Sequence, residues 1–243
     1  MLAWSDEFND PVGTPPDPGH WIACTNGLGG GNQELQYYVP EAAACDGDSH
    51  MVLTARRDVG TYTAWYGASQ FTSAKIWTKG LLAFRYGQLD VAASIPAGRP
   101  GAWPAIWLLG ANYDQIGWPA CGEIDMLESF GATPTLTSVS SSIHSATDSM
   151  TAACSLPAAN NATEQHIYSL DWRPNSLEFA VDGAIYHSIH ASQLKSWPFG
   201  QPFFLILNLA VGGTMGGPVP AAAALPYRMA VDYVRLYNAE ISQ

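Results

Sequence analysis

Three carboxylates fall within six positions of one another at Glu123-Ile-Asp125-Met-Leu-Glu128, in a chain of which only 13% of residues are charged. Side chains on a β-strand alternate between faces, so Glu123 and Asp125 point one way while Ile124 and Met126 point the other. Strict alternation would then set Leu127 beside the acids and send Glu128 into the core. One extra residue, a β-bulge at Met126-Leu127, returns Glu128 to the acidic face. Paired carboxylates are what glycosidic bond cleavage needs: one protonates the leaving oxygen, and a second attacks the anomeric carbon or activates water. A third acid between them hinders simultaneous ionisation and so helps to hold a proton on the acid at working pH. Five residues of straight strand span ~16 Å, against a carboxyl separation of ~5 Å in a retaining enzyme. The motif therefore predicts a bulged strand in a curved sheet, with both glutamates leaning inward.

An isolated acidic triplet is also what a solvated surface strand or helix carries, and the flanking residues separate the two cases. Gly101-Ala-Trp103-Pro-Ala-Ile-Trp107 precedes the acids, and Trp118 lies five residues before Glu123. Sugar rings have apolar C–H faces, for which indole rings are large and rigid platforms. Trp103 and Trp118, flanked by Gly and Pro, are expected to line a cleft rather than fill the core.

The elements that must hold these groups read as strands. Short β-branched or aromatic runs recur between Gly, Pro, Asn and Asp, and no long amphipathic helical period is present, so the chain reads as one all-β domain over residues 1–243. Asp182-Gly183 between two β-like runs marks a hairpin. Phe203 to Val211 is an apolar run broken by Asn208, a central strand whose one amide faces a polar partner. Met229 to Tyr237 reads as a closing strand with Val231, Tyr233 and Arg235 on one face. The four glycines from Gly27 to Gly31 lack the last position of a dinucleotide fingerprint and no long helix follows, so nucleotide chemistry is excluded.

Ten Lys and Arg against 21 Asp and Glu give a formal charge of −11, which argues against nucleic acid, an anionic membrane surface or a polyanionic substrate and suits a neutral ligand. No apolar run approaches the ~20 residues of a membrane span. Cys24, Cys45, Cys121 and Cys154 have no zinc-type spacing. Three disulfide pairings are open. The pairs that close local loops, Cys24–Cys45 and Cys121–Cys154, are favoured over four reduced thiols and would suit an extracellular compartment, with any export signal removed ahead of Trp4.

With these residues in view, the chain resembles glycoside hydrolase family 16, specifically its laminarinase-like endo-1,3-β-glucanases. The acidic motif matches the family's bulged Glu-x-Asp-x-x-Glu. Trp4-Ser-Asp-Glu-Phe8, Asn32-Gln-Glu34-Leu-Gln36-Tyr-Tyr38, Trp103-Pro-Ala-Ile-Trp107, Tyr168-Ser-Leu-Asp-Trp172, Val181-Asp-Gly183, Asn208-Leu-Ala-Val-Gly-Gly213 and Val231-Asp-Tyr-Val-Arg-Leu-Tyr237 resemble its other motifs, in order along most of the chain. The resemblance implies a β-jelly-roll sandwich of two curved antiparallel sheets, concanavalin-like, with a substrate cleft across the concave one. It implies a retaining enzyme with Glu123 as nucleophile, Glu128 as general acid/base and Asp125 as the partner of the nucleophile. Trp103, Trp107 and Trp118 would line sugar subsites, with Asn32, Glu34, His144 and Asn208 as polar contacts. It implies no catalytic cofactor, but a structural calcium ion on the convex side, held by Asp232 and by backbone oxygens near Glu7 and Gly47. The expected partner is a neutral β-glucan, met by a secreted monomer.

Two positions depart from the family pattern. Lys75 falls where an arginine is common, so a planar two-pronged contact becomes a single ammonium. Met215 stands where many relatives have a tryptophan, which would remove one sugar platform. Mixed-linkage glucanases usually lack the inserted residue in the acidic motif, and a sulfated substrate fits poorly with so few basic residues, whereas neutral agarose remains an alternative, as does transglycosylation. A glucan-binding lectin on the same sandwich would need the aromatics but not three mutually repelling acids, and that feature favours an enzyme.

Overall fold

The computed structural model describes residues 1–242, and almost all of its regular structure is strand. The strands form two large sheets of ten and nine, antiparallel but for one short parallel pair, Gln36–Tyr38 with Phe71–Ser73, and a separate short hairpin pairs Thr63–Ala64 with Gly67–Ala68. Together the two large sheets make the β-jelly-roll sandwich. One continuous apolar core lies between them, built by residues at period two. In Phe203–Val211, the odd-numbered side chains Phe203, Leu205, Leu207, Leu209 and Val211 belong to that core. Ile206, Asn208 and Ala210 face the other way, into a cleft on the nine-stranded sheet. The ten-stranded sheet answers with Leu89, Val91 and Ala93 from Gly87–Ser94 and with Tyr168, Leu170 and Trp172 from His166–Arg173.

Within the nine-stranded sheet, Ser149–Ser155, Ser138–His144, Glu123–Glu128, Ala102–Gly110 and Phe203–Val211 lie side by side in that order. Lys75–Trp77 pairs with Phe203–Val211 beyond Ala102–Gly110, and Ile22–Ala23 follows at the edge. The expected bulge is present. Ala105 faces Glu128, Ile106 faces Leu127 and Trp107 faces Asp125, so Met126 is the extra residue. The expected hairpin is present too, with Val181 opposite Ala184 and positive φ at Asp182 (51°) and Gly183 (78°), the backbone sense that Asp-Gly tolerates.

Two expectations are corrected. The closing strand Tyr227–Tyr237 does not alternate strictly, because its register against Gly87–Ser94 slips between Val231 and Tyr233. Asp232 is the inserted residue, and Val231 and Val234 are consequently both buried. The cysteines are not paired: all four are free thiols. Cys24 follows the edge strand Ile22–Ala23 of the nine-stranded sheet and hydrogen-bonds through its backbone to Lys75, whereas Cys45 ends a strand of the other sheet. Cys121 packs with Leu109, Phe204 and Ile206, while Cys154 lies on Ser149–Ser155. Proximity along the chain did not bring either pair together.

Candidate active site

The cleft is assembled from alternate residues of neighbouring strands. Trp103, Ala105, Trp107 and Leu109 line it from Ala102–Gly110, and Lys75 and Trp77 from Lys75–Trp77. Glu123, Asp125 and Glu128 line it from the acidic strand, opposite Leu109, Trp107 and Ala105 respectively. Those three partners are alternate residues on one face, so the bulge brings all three carboxylates to the cleft while Ile124, Met126 and Leu127 enter the core. It also shortens the Glu123–Glu128 spacing to four register positions, roughly 13 Å of strand, which leaning side chains can close further.

Asp125 is buried, and Glu123 and Glu128 are partly buried. Glu128 Oε1 accepts the Trp103 indole N–H at 3.1 Å, and Oε2 accepts the Ser142 hydroxyl at 3.4 Å. His144 Nε2 stands 3.5 Å from Asp125 Oδ2 and 4.0 Å from Glu123 Oε1, while its Nδ1 meets Ser149 Oγ at 3.0 Å. Burial pushes Glu123 well above the usual carboxylate range. The Asp125 and Glu128 charges add to this, while His144 and a hydrogen bond from Trp118 oppose it. Asp125 is pushed well up by burial and by Glu128, against a hydrogen bond with Glu123. Glu128 is raised by burial alone, with Trp103, His144 and Ser142 pulling it down. Removing water from three neighbouring carboxylates makes full ionisation costly, so the cluster retains protons that solvated acids would have lost.

The sequence-selected contacts fall into two groups. Asn32, Glu34, Lys75, Trp103, Trp107, Trp118 and Asn208 all line the cleft, and His144 touches two of the acids beside it. Asn208, however, spends its amide on the protein: Oδ1 accepts from Trp107 Nε1 at 2.7 Å and Nδ2 donates to Tyr38 Oη at 3.3 Å. It fixes the Trp107 ring. Buried Glu34 accepts from Gln36 Nε2 at 2.6 Å and from Tyr38 Oη at 3.4 Å. Lys75 Nζ lies 4.9 Å from the Trp107 ring centre and 5.3 Å from that of Trp77. Burial pulls its pKa down, against the influence of nearby Cys24, Glu34 and Glu123. Trp118 is the exposed member, at 57%. Met215 sits in the short turn Gly213–Gly216, outside the cleft lining.

Trp77, Tyr38, Tyr113 and Ser142 were missed as site residues. Lys75-Ile-Trp77 carried a signal, since a strand that turns Ile76 inward turns its neighbours into the cleft. Ser142 carried none, because its relation to Glu128 depends on which strand pairs with the acidic one. On the closing strand, Asp232 Oδ2 accepts from Gln165 Nε2 at 2.7 Å. The Glu7 carboxylate is taken by Arg235 at 2.7 and 3.0 Å, which leaves only its backbone oxygen for a cation. Strand pairing ends at Asp6 opposite Val234, so Glu7 lies next to the bulge at Asp232, while Gly47 packs against Val12. Among the described residues one group of metal-ligand side chains converges, Glu123, Asp125 and His144, with ligand atoms all within 4.8 Å of one another.

The model of glycosyl hydrolases family 16 matches residues 33–235. A β-glucanase of Rhodothermus marinus is 36% identical over 98% of this chain and 85% of its own length. The glucan endo-1,3-β-glucosidase A1 of Niallia circulans is 34% identical over 98% of this chain, which spans only 38% of that longer protein. The catalytic domain of an endo-1,3-β-glucanase (laminarinase) from Thermotoga petrophila superposes with a TM-score of 0.89 at 36% identity, covering 98% of this chain and 97% of that one.

Proposed function

The chain belongs to glycosyl hydrolase family 16, and from that premise we propose that it cleaves internal 1,3-β-glucosidic bonds of laminarin-type glucans with retention of configuration. The observation that carries this reading is the trio Glu123, Asp125 and Glu128 on one face of a bulged strand, inside a cleft walled by Trp77, Trp103, Trp107 and Trp118. The β-glucanase and laminarinase relatives support the substrate class, and the net charge of −11 favours a neutral polymer.

Glu123 attacks the anomeric carbon, and the bond to the glycosidic oxygen breaks as Glu128 gives that oxygen its proton. Water then enters, Glu128 takes a proton from it, and the resulting attack releases Glu123 as a carboxylate and the sugar in its original β configuration. The raised position of Glu128 keeps the acid charged with its proton for the first step. Glu123 must be ionised to attack. Asp125, itself held well above the usual carboxylate range by burial and by the Glu128 charge, can keep the proton and so leave Glu123 as the anion.

The test is reducing-end release from laminarin, with mixed-linkage glucan and agarose in parallel. Strong release from laminarin is expected, with turnover lost in Glu123→Gln and reduced roughly 10²- to 10⁴-fold in Glu128→Gln. The first product should be the β anomer by NMR. Cleavage of agarose alone would overturn the substrate, and binding of laminarin with no cleavage would favour a lectin.

The remaining features of the reading are a single catalytic domain over 1–243, a secreted monomer, and a calcium ion remote from the chemistry. Calcium would be held by Asp232 with the backbone oxygens of Glu7 and Gly47, hard ligands of the kind it prefers, and would stiffen the closing strand. Chelation should then lower Tm, and added calcium at about 100 times its Kd should restore roughly 5–10 °C. A Tm indifferent to both would remove the ion from this account.

A further inference from the structure

Beyond the cleft, at its end remote from the acids, stands an aromatic ring that the reaction does not use. The order of strands gives the cleft its direction: from Glu123–Glu128 it crosses Ala102–Gly110, then Phe203–Val211, then Lys75–Trp77. Neighbouring strands lie ~4.8 Å apart, so Lys75 is about 14 Å from the acidic strand. Beyond Lys75–Trp77 the edge strand Ile22–Ala23 leads into the loop that carries Leu28, Gly30, Gly31, Asn32 and Glu34, which all line the cleft, and the loop returns to pair Glu34 with Gly212 at the end of Phe203–Val211. Trp65 packs against this loop and is not itself part of the cleft lining.

The ring is fixed there. Its backbone N–H donates to Gly27 O at 2.8 Å, and its indole N–H donates to Glu34 O at 2.7 Å. Gly29, at φ 77°, approaches the pyrrole edge so closely that a Cβ would come within 2.7 Å of Nε1. Tyr66 braces the ring edge-on at 5.4 Å, and its own hydroxyl donates to Leu35 O at 2.7 Å. Yet Trp65 remains 49% exposed, next to a loop on which Leu28 is 79% exposed. A tryptophan needed only for packing would bury its ring. Here the polar N–H is consumed by the backbone, and what is left to solvent is a fixed apolar ring packed against a loop whose Leu28, Gly30 and Glu34 line the cleft. Such a surface suits the C–H face of a sugar and loses little conformational entropy on binding.

We propose that Trp65, with Leu28 beside it, is a distal sugar-binding platform that takes the glucan chain beyond the residues lining the cleft and so makes the enzyme favour long chains over short ones. The proposal rests on the reading of the cleft as a glucan site. It assigns Trp65 to substrate binding and not to bond cleavage, since Trp65 lies outside the cleft lining that holds the acids.

The experiment compares wild type, Trp65→Ala and Trp65→Phe on 1,3-β-gluco-oligosaccharides of increasing length and on laminarin. The expected result is a kcat/KM for laminarin and the longest oligosaccharides lowered roughly 3- to 10-fold in Trp65→Ala. The loss should lie in KM, be absent on the shortest substrate that is cleaved, and be largely recovered in Trp65→Phe. An equal loss at every length would mean that Trp65 only braces the Gly27–Glu34 loop, and no loss on laminarin would mean that the chain never reaches it. Either result overturns the proposal. Migration of Glu123→Gln and of Glu123→Gln/Trp65→Ala through laminarin-containing native gels separates this question from catalysis. Stronger retardation of the single variant supports the platform even if hydrolysis fails, and equal or absent retardation of both overturns it.

Discussion

At the scale of single residues, the tryptophans divide by what their N–H groups touch. Trp103 donates to the carboxyl of Glu128, whereas Trp107 donates to the neutral amide of Asn208. A donor to a carboxylate stabilises its charged form, and the Trp103 bond is the foremost influence pulling Glu128 down against its burial. Trp103→Phe keeps most of the ring surface and removes the donor, so Glu128 should hold its proton to higher pH. Because the acid acts in its protonated form, the alkaline limb of kcat/KM should move up in Trp103→Phe. The same limb should stay in place in Trp107→Phe, whose loss should appear as a raised KM. A pH profile of the three proteins on laminarin checks both, and a limb unmoved by Trp103→Phe would take Glu128 out of the acid role. The acid limb, set by ionisation of Glu123, should in turn lie above the ordinary carboxylate range because burial and Asp125 raise it.

Among the elements, the loop Gly29–Gly31 shows how backbone form sets side-chain position. All three glycines have positive φ, at 77°, 55° and 80°, and a side chain at any of them is strained by roughly 1–3 kcal/mol. They differ in what a Cβ would meet: at Gly30 it would come within 2.1 Å of Glu34 Oε1, and at Gly31 it would meet nothing within 4 Å. Gly30→Ala and Gly31→Ala should therefore lose similar Tm, but only Gly30→Ala should displace Glu34 and raise KM for laminarin. Equal KM values would show that Glu34 does not contact the substrate. That loop also marks the limit of what was legible beforehand. The acidic strand could be read because period two and one inserted residue are local facts, and the bulge appears at Met126 as alternation demands. Asn208 could be read as a residue in need of a partner, but not as the anchor of Trp107, since the pairing of Phe203–Val211 with Ala102–Gly110 joins segments about a hundred residues apart. The cysteine pairing failed because nearness along the chain does not set where each thiol lies: Cys24 and Cys45 go to different sheets, and Cys121 packs with Leu109, Phe204 and Ile206 while Cys154 sits on Ser149–Ser155. The closing strand was misread by one position, where Asp232 interrupts an otherwise regular alternation.

For the molecule as a whole, the active site is a cost to stability. Asp125, Glu123 and Glu128 all hold protons more tightly in the folded protein than in the unfolded chain. A group whose folded pKa is raised stabilises the fold fully below its unfolded value, and that contribution is lost as pH climbs through the folded value. The unfolded reference is 3.8 for Asp and 4.5 for Glu, so stability should decline from that range upward as the cluster is forced to ionise. Asp125 is the most deeply buried of the three, at 4% exposure, and its Oδ2 has no hydrogen-bond partner. Asp125→Asn removes one titrating group and one repulsion while keeping the shape of the side chain. It should leave Tm near that of wild type at about pH 4 and raise it at pH 7–8, by roughly 2–4 °C for each kcal/mol of relieved cost in a chain of this size. Activity should fall, because the proton that Asp125 holds beside Glu123 no longer moves with the charge of the nucleophile. Thermal unfolding of both proteins between pH 4 and 8 decides the matter. A gap in Tm that widens with pH marks the acid cluster as the source of the instability, and an Asn variant less stable than wild type at pH 8 would mean that Asp125 is ionised and paired in the resting protein.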